Sequence, residues 1–218
     1  MTNNQTSANR VWDWPIRFVH WSFVILLALL WWTAENGEMD IHRYAGYAIT
    51  SLLVFRLYWG FAGSNTARFT QFVQGPTQTW RYAKTLGQPH TAPQYGHNPL
   101  GAYSVVLLLS LMGIQVISGL FAIDVDGWEA GPLNDYVSFE TGRLSAAWHE
   151  YTFNVILGWI ILHLFAVTYY LFWRKQNLIS AMLSGKTKEG GSGKFIAARP
   201  THYFVGLALI LITLWLLL

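Results

Sequence analysis

The sequence predicts an all-α membrane protein, a four-transmembrane-helix bundle with a fifth transmembrane helix at the C-terminus. Three observations predict it. The 218 residues are 53% hydrophobic and only 11% charged, against roughly 25% charged in ordinary soluble domains. The apolar residues gather into five runs close to the length of about 20 residues that crosses a bilayer as a helix. Aromatic residues reach 17%, with 12 Trp. Trp12, Trp14, Trp31, Trp32, Trp59, Trp148, Trp173 and Trp215 lie near the run ends, where indoles anchor at the headgroups.

The elements follow in order. Residues 1–14 are a polar tail. Span 1 covers 15–34. Its apolar run is long for a signal peptide and no small-x-small site follows "LLWWTAENGE", so it reads as a retained helix. Span 2 covers 42–62 after a very short connection. Span 3 covers 99–123, with Asn98 as the predicted cap and Pro99 opening the helix. Span 4 covers 146–173. The segment "SGKTKEGGSGKFIAARP", residues 184–200, reads as a flexible basic linker. It makes 201–218, the shortest run, an appendage to the core of 15–183.

Charge sets the direction. The side shared by the N-terminal tail, the connection of spans 2 and 3 and the basic linker carries 12 of the 14 Lys and Arg. The other side has only Arg43 and Arg143, with nine of the eleven carboxylates. Cation-rich loops stay in the cytoplasm. The expectation is a multi-pass protein with a cytoplasmic N-terminus and, after five spans, a C-terminus outside. The pI near 9.2 does not point to nucleic acid, because the cations are not interleaved with base-stacking aromatics on a soluble face. With no cysteine, disulfides, covalent c-type haem, cysteine-ligated clusters and thiol catalysis are excluded.

Metal chemistry must then rest on histidine or carboxylates. An ionisable residue inside a span is costly, so function is its first reading. His149 and His163 are fourteen residues apart, close to four helical turns, and share one face about 21 Å apart. His163 is level with His20 at the cytoplasmic end of span 1, and His149 with His42 at the outer end of span 2. Two pairs emerge, an inner one of His20 with His163 and an outer one of His42 with His149. Neutral imidazoles in pairs ligate haem iron from both faces, and cofactors of helical bundles sit in the interior. The alternative for each His alone is a hydrogen bond to a neighbouring helix. Gly46 and Gly158 would leave room for a flat ring. Arg56, fourteen residues after His42, is a candidate for a haem propionate, with snorkelling to the surface as the alternative. Arg17 is a weaker candidate of the same kind. His90 reads as a solvated loop residue and His202 as a headgroup neighbour. His97 reads as a loop residue, with a cytoplasmic quinone site as its alternative.

The stretches "PIRFVHW" (15–21), "IHRYAGY" (41–47), "FRLYWGFAG" (55–63), "GHNPLGAY" (96–103) and "WHEYTFNVILGWIILHL" (148–164) together resemble the bacterial cytochrome b561 family, which merges with the b-type cytochrome subunits of nickel–iron hydrogenases. The resemblance covers most of residues 10–180. It implies a four-helix membrane core that binds haem b through His20, His42, His149 and His163, located in the bacterial inner membrane and linked to the quinone pool. Span 5 and its linker lie outside the family's minimal four-helix form.

The leading expectation is a two-haem, electron-transporting cytochrome of a respiratory chain. It would connect quinone with a periplasmic redox protein such as a c-type cytochrome, drawn to the acidic outer face. One alternative is a superoxide/quinone oxidoreductase, which would need a cationic spot made by Arg43 and Arg143. Another is a haem-bearing membrane anchor for a large soluble hydrogenase or dehydrogenase subunit. A haem-free transporter using buried His is a fourth reading.

Overall fold

The computed structural model describes residues 9–88, 95–187 and 193–218. The long helices are α1 (Trp14–Glu35), α2 (Met39–Ala62), α5 (Pro99–Phe121), α6 (Phe139–Phe172) and α8 (Pro200–Leu217). The short ones are α3 (Phe69–Phe72), α4 (Pro76–Ala83) and α7 (Leu178–Ser184). Two-residue strands β1 (Asn9–Arg10) and β2 (Lys186–Thr187) pair antiparallel.

Among the described residues, four helices are long and apolar enough to cross a membrane: α1, α5, α6 and α8. Helix α2 is as long, at 24 residues, but Asp40, Arg43 and Arg56 interrupt its apolar run.

Local sequence explains where the helices start and stop. The buried Asp13 carboxylate accepts the amide of Ile16 at 2.9 Å, capping α1 with Pro15 in its first turn. Helix α1 ends at Gly37, whose φ of +71° suits only a residue without Cβ. There the amide of Glu38 returns to the Thr33 carbonyl at 2.9 Å, satisfying an orphan acceptor of the last turn. Asn98 caps α5 through the amide of Gly101 at 2.8 Å, as its sequence predicts. Helix α6 starts at Phe139, seven residues before the predicted span. Ser138 caps it through the Thr141 amide at 3.2 Å, and Glu140 and Arg143 had hidden this turn from an apolarity reading. Its 34 residues rise about 51 Å, well beyond hydrocarbon thickness.

The described ends of the basic linker are tied to other parts of the chain. Its front forms β2, with Asn9 opposite Thr187. Its rear is held by Asn65, whose side chain donates to the Lys194 carbonyl at 2.9 Å and accepts the Ile196 amide at 3.0 Å. An Asn amide offers the same donor–acceptor pair as a neighbouring strand, and composition does not reveal such a clamp. The predicted flexibility of 188–192 and the loop reading of His90 lie outside the described residues.

The chain divides into two compact units. Unit 1 comprises 1–20, 56–105 and 163–206; unit 2 comprises 21–55, 106–162 and 207–218. In unit 1, Trp59 is fully buried and its indole donates to Asp13 at 2.9 Å. Trp12 is buried as well. Both were expected at the headgroups, but a nearby buried acceptor or aromatic cluster can hold an indole inside. Trp14, Trp31, Trp32, Trp148, Trp173 and Trp215 are exposed, as belt residues should be. In unit 2, a short hairpin is closed by the bridge of Ile123 with Ala130. It is braced by Arg143, which donates to the Ile123 carbonyl at 2.7 Å.

Candidate functional site

Unit 2 brings His42 and His149 together. Their ring centroids are 6.2 Å apart, with the planes at 74°. Two imidazoles bonded end-on to opposite faces of one metal ion, each at about 2 Å, place their ring centres roughly 6 Å apart. The ring protons are assigned by the partners. His42 Nδ1 lies 3.0 Å from the Leu30 carbonyl, and His149 Nδ1 lies 2.8 Å from the Gln115 carbonyl. A carbonyl only accepts, so each Nδ1 carries the proton and each Nε2 keeps a lone pair. Fixing the tautomer through the far nitrogen is how proteins prepare a histidine ligand.

Sequence spacing produces this arrangement. On α2, the buried residues Ala45, Ile49, Leu53 and Arg56 follow His42 at helical intervals of three, four, four and three. On α6, Ile156 is fully buried and lies seven residues from both His149 and His163, so the two histidines belong to one inward stripe. Gly119 on α5 admits the His149 ring, because a Cβ there would lie 2.7 Å from its Cε1. A Cβ at Gly46 would meet nothing within 4 Å, so the expected space on α2 exists. Gly158 is exposed. It lies nine residues from His149, half a turn off the stripe, and the expectation that it clears room for a ring is corrected.

Unit 1 holds the second pair. His20 and His163 are close enough to interact electrostatically. Arg56 is 6% exposed. Its guanidinium sits 5.1 Å from the Phe69 ring centre and feels the Asp13 charge. Its Nη1 is buried with no hydrogen-bond partner among the described residues. Arg17 donates through Nε to the Met182 carbonyl at 3.2 Å and through Nη2 to Leu183. It therefore completes the C-terminal turn of α7. His97 is packed between Trp12 and Phe72, at centroid distances of 4.6 and 4.4 Å. Burial pushes its pKa down to about 3, and the Arg56 charge adds to the shift. His202 shares a hydrogen bond of 3.0 Å with the Tyr58 hydroxyl.

These residues fit haem. No group of three or more His, Cys, Asp or Glu gathers among the described residues as a metal site. His42 and His149, and likewise His20 and His163, would each supply two imidazole nitrogens to such a group, with the remaining donors coming from its ring. The orphaned guanidinium nitrogen of Arg56, in the same unit as His20 and His163, suits a carboxylate.

Sequence reasoning missed four contributors. Asp13 had a signal, since Asp two residues before Pro opens a helix. Gly119 and the carbonyls of Leu30 and Gln115 had none, because a backbone acceptor and a missing Cβ depend only on how helices approach one another.

Long apolar helices and a close imidazole pair with its tautomers fixed by backbone carbonyls fit the class of helical membrane proteins that hold haem between histidines. The model of the prokaryotic cytochrome b561 family matches residues 11–185, and the chain belongs to that family. It is accordingly a membrane b-type cytochrome, and the family implies haem b. A probable Ni/Fe-hydrogenase B-type cytochrome subunit of Rhizobium leguminosarum bv. viciae is 27% identical, over 81% of this chain and 87% of that protein. A probable Ni/Fe-hydrogenase 1 B-type cytochrome subunit of Escherichia coli (strain K12) is 24% identical, over 80% and 88%. No solved structure matches the chain.

Proposed function

We propose that this protein is a di-haem cytochrome that carries electrons across the bacterial inner membrane, between the quinone pool and a periplasmic redox partner. The observation that carries the reading is the His42–His149 pair, 6.2 Å apart with both Nδ1 atoms on backbone carbonyls. His42 and His149 are the ligands of one haem b, His20 and His163 those of the other. Held by two imidazoles, haem b supplies one-electron carriage without an open iron position for oxygen chemistry.

The chain's residues set the conditions for that carriage. Backbone carbonyls hold the imidazoles of His42 and His149 in the ligand tautomer. Arg56 receives a propionate, and Arg17, three residues before His20, stands by the same site while capping α7. The orientation has the His20–His163 pair on the cytoplasmic side and the His42–His149 pair on the periplasmic side. Helices α1, α2, α5, α6 and α8 are the five spans, with the C-terminus periplasmic.

The partner reading leans on the relatives, which are named as hydrogenase cytochrome subunits. A large hydrogenase-type subunit anchored on this protein is compatible with electron carriage, since one polypeptide can do both. The superoxide/quinone alternative needs a free cation near the His42–His149 pair. Arg43 is engaged by Asp40 and, at 2.6 Å, by Glu129, and Arg143 by the Ile123 carbonyl. Both cations are committed, which weighs against small-anion chemistry.

Haem per polypeptide in the purified protein tests the reading, together with redox coupling to a short-chain quinone/quinol couple. The expected result is two haems, both in equilibrium with the quinone couple. A colourless, folded protein made with ample haem would contradict it. Co-purification of a large soluble subunit would support the anchor role.

A further inference from the structure

The motif "GHNPLGAY" is not used by the haem ligands, yet unit 1 builds a side-chain chain around its histidine. Arg56 lies over Phe69 at 5.1 Å. Phe69 meets Phe72 at 5.6 Å, Phe72 meets His97 at 4.4 Å, and His97 meets Trp12 at 4.6 Å. The assembly is specified from several elements. Gly60 is required, since a Cβ there would collide with the Phe69 ring. Gly96 turns the chain into His97 with a φ of +86°. The adjacent segment is fixed by Thr66, which donates to the Val11 carbonyl at 2.6 Å.

Two polar atoms in this cluster are buried and have no hydrogen-bond partner among the described residues, Arg56 Nη1 and His97 Nδ1. Leaving such a group unsatisfied costs about 1–3 kcal/mol, and more when it is charged. Asp13 does not resolve the deficit. One of its oxygens accepts the Ile16 amide and the other the Trp59 indole, so it balances the Arg56 charge without bonding it. Arg56 can only donate, and it is near enough to His97 to act on it electrostatically. A group that satisfies both atoms is an acceptor with two oxygens. A carboxylate meets that need, and its charge compensates the guanidinium.

We propose that His97 is the second hydrogen-bond partner of the carboxylate that Arg56 receives, a propionate of the haem at the His20–His163 site, and that it thereby raises the reduction potential of that haem. The inference rests on the di-haem reading above. Donation from Nδ1–H withdraws negative charge from the propionate. Less negative charge beside the iron disfavours the oxidised, more positive state. The aromatic walls of Trp12 and Phe72 keep water from taking over the hydrogen bond.

The test is His97→Phe in the full-length, haem-loaded protein, with two readouts: the propionate bending band in resonance Raman, and a spectroelectrochemical titration. The haem whose signal disappears in His20→Ala identifies the site. The expected result is two haems retained, a shifted propionate band, and a reduced-to-oxidised ratio of that haem lowered roughly tenfold at fixed ambient potential, about 59 mV for one electron. The other haem is unchanged. If the Phe ring displaces the haem, His97→Leu carries the same two readouts. An unchanged band and potential in the haem-retaining variant overturns the proposal, as does a shift confined to the other haem, which would place His97 elsewhere. Failure of the underlying reading looks different, because wild-type protein would then hold fewer than two haems.

Discussion

The two histidine pairs are prepared in different ways. At His42 and His149 the backbone does the work: carbonyls of Leu30 and Gln115 take the Nδ1 protons, and Gly119 makes room for a ring. The cations nearby, Arg43 and Arg143, are already bonded. The unit that holds His20 and His163 also holds a charged and aromatic cluster, with Arg56 and Asp13 buried and His97 packed between Trp12 and Phe72. The first pair is set by backbone acceptors and a missing Cβ, while the second shares its unit with buried charge. The difference teaches that, with a haem at each pair as proposed, the two could be tuned separately, with different substitutions reaching each.

The comparison breaks most visibly at Gly119. Gly119→Val drives the His149 ring out of place, and ligand sites tolerate only about 0.5 Å of such error. We expect loss of about one haem per chain, with the spectrum of the remaining site intact. Pyridine-haemochrome counting checks it, and a variant retaining both haems would show that α5 does not set the ring position.

A smaller effect is expected at Asp13. Asp13→Ala removes a helix cap and leaves the Trp59 indole unpaired, a loss of about 2 kcal/mol in stability. Thermal loss of the Soret band of the haem near His20 should come at lower temperature, while the site at His42 lags behind. Simultaneous loss at both sites would erase the distinction between the two regions.

The smallest effect concerns acid. His97 is held neutral, with its pKa lowered to about 3 by burial and by Arg56. The unfolded chain binds a proton there near pH 6.5, so folding gains full benefit above that value and loses it as the pH falls toward 3. His97→Phe should flatten this acid limb in pH-dependent unfolding. An unchanged slope would mean that the imidazole titrates normally in the folded protein.

Much of this was legible in the residues. The five apolar runs became long helices because length and hydropathy are local properties. Asn98 and Pro99 marked a helix start that is present. The pairing of His42 with His149 followed from depth alone, since helix rise converts residue number into height. The seven-residue offsets of Ile156 made the α6 stripe readable too. What could not be read depends on approach between elements. The burial of Trp59 rests on Asp13, 46 positions away. The clamp on the linker rests on a single Asn65 amide. The early start of α6 was hidden because Glu140 and Arg143 extend the helix past hydrocarbon, where apolarity no longer reports it. Gly158 misled because a small residue was considered without its helical phase.

The central claim is that the four histidines act as two fixed pairs, and haem counting in double variants tests it most directly. His20→Ala with His163→Ala, and His42→Ala with His149→Ala, should each leave one haem per chain, whereas His20→Ala with His149→Ala should leave none. A single haem surviving in the mixed double variant, or none in either matched one, would contradict the pairing.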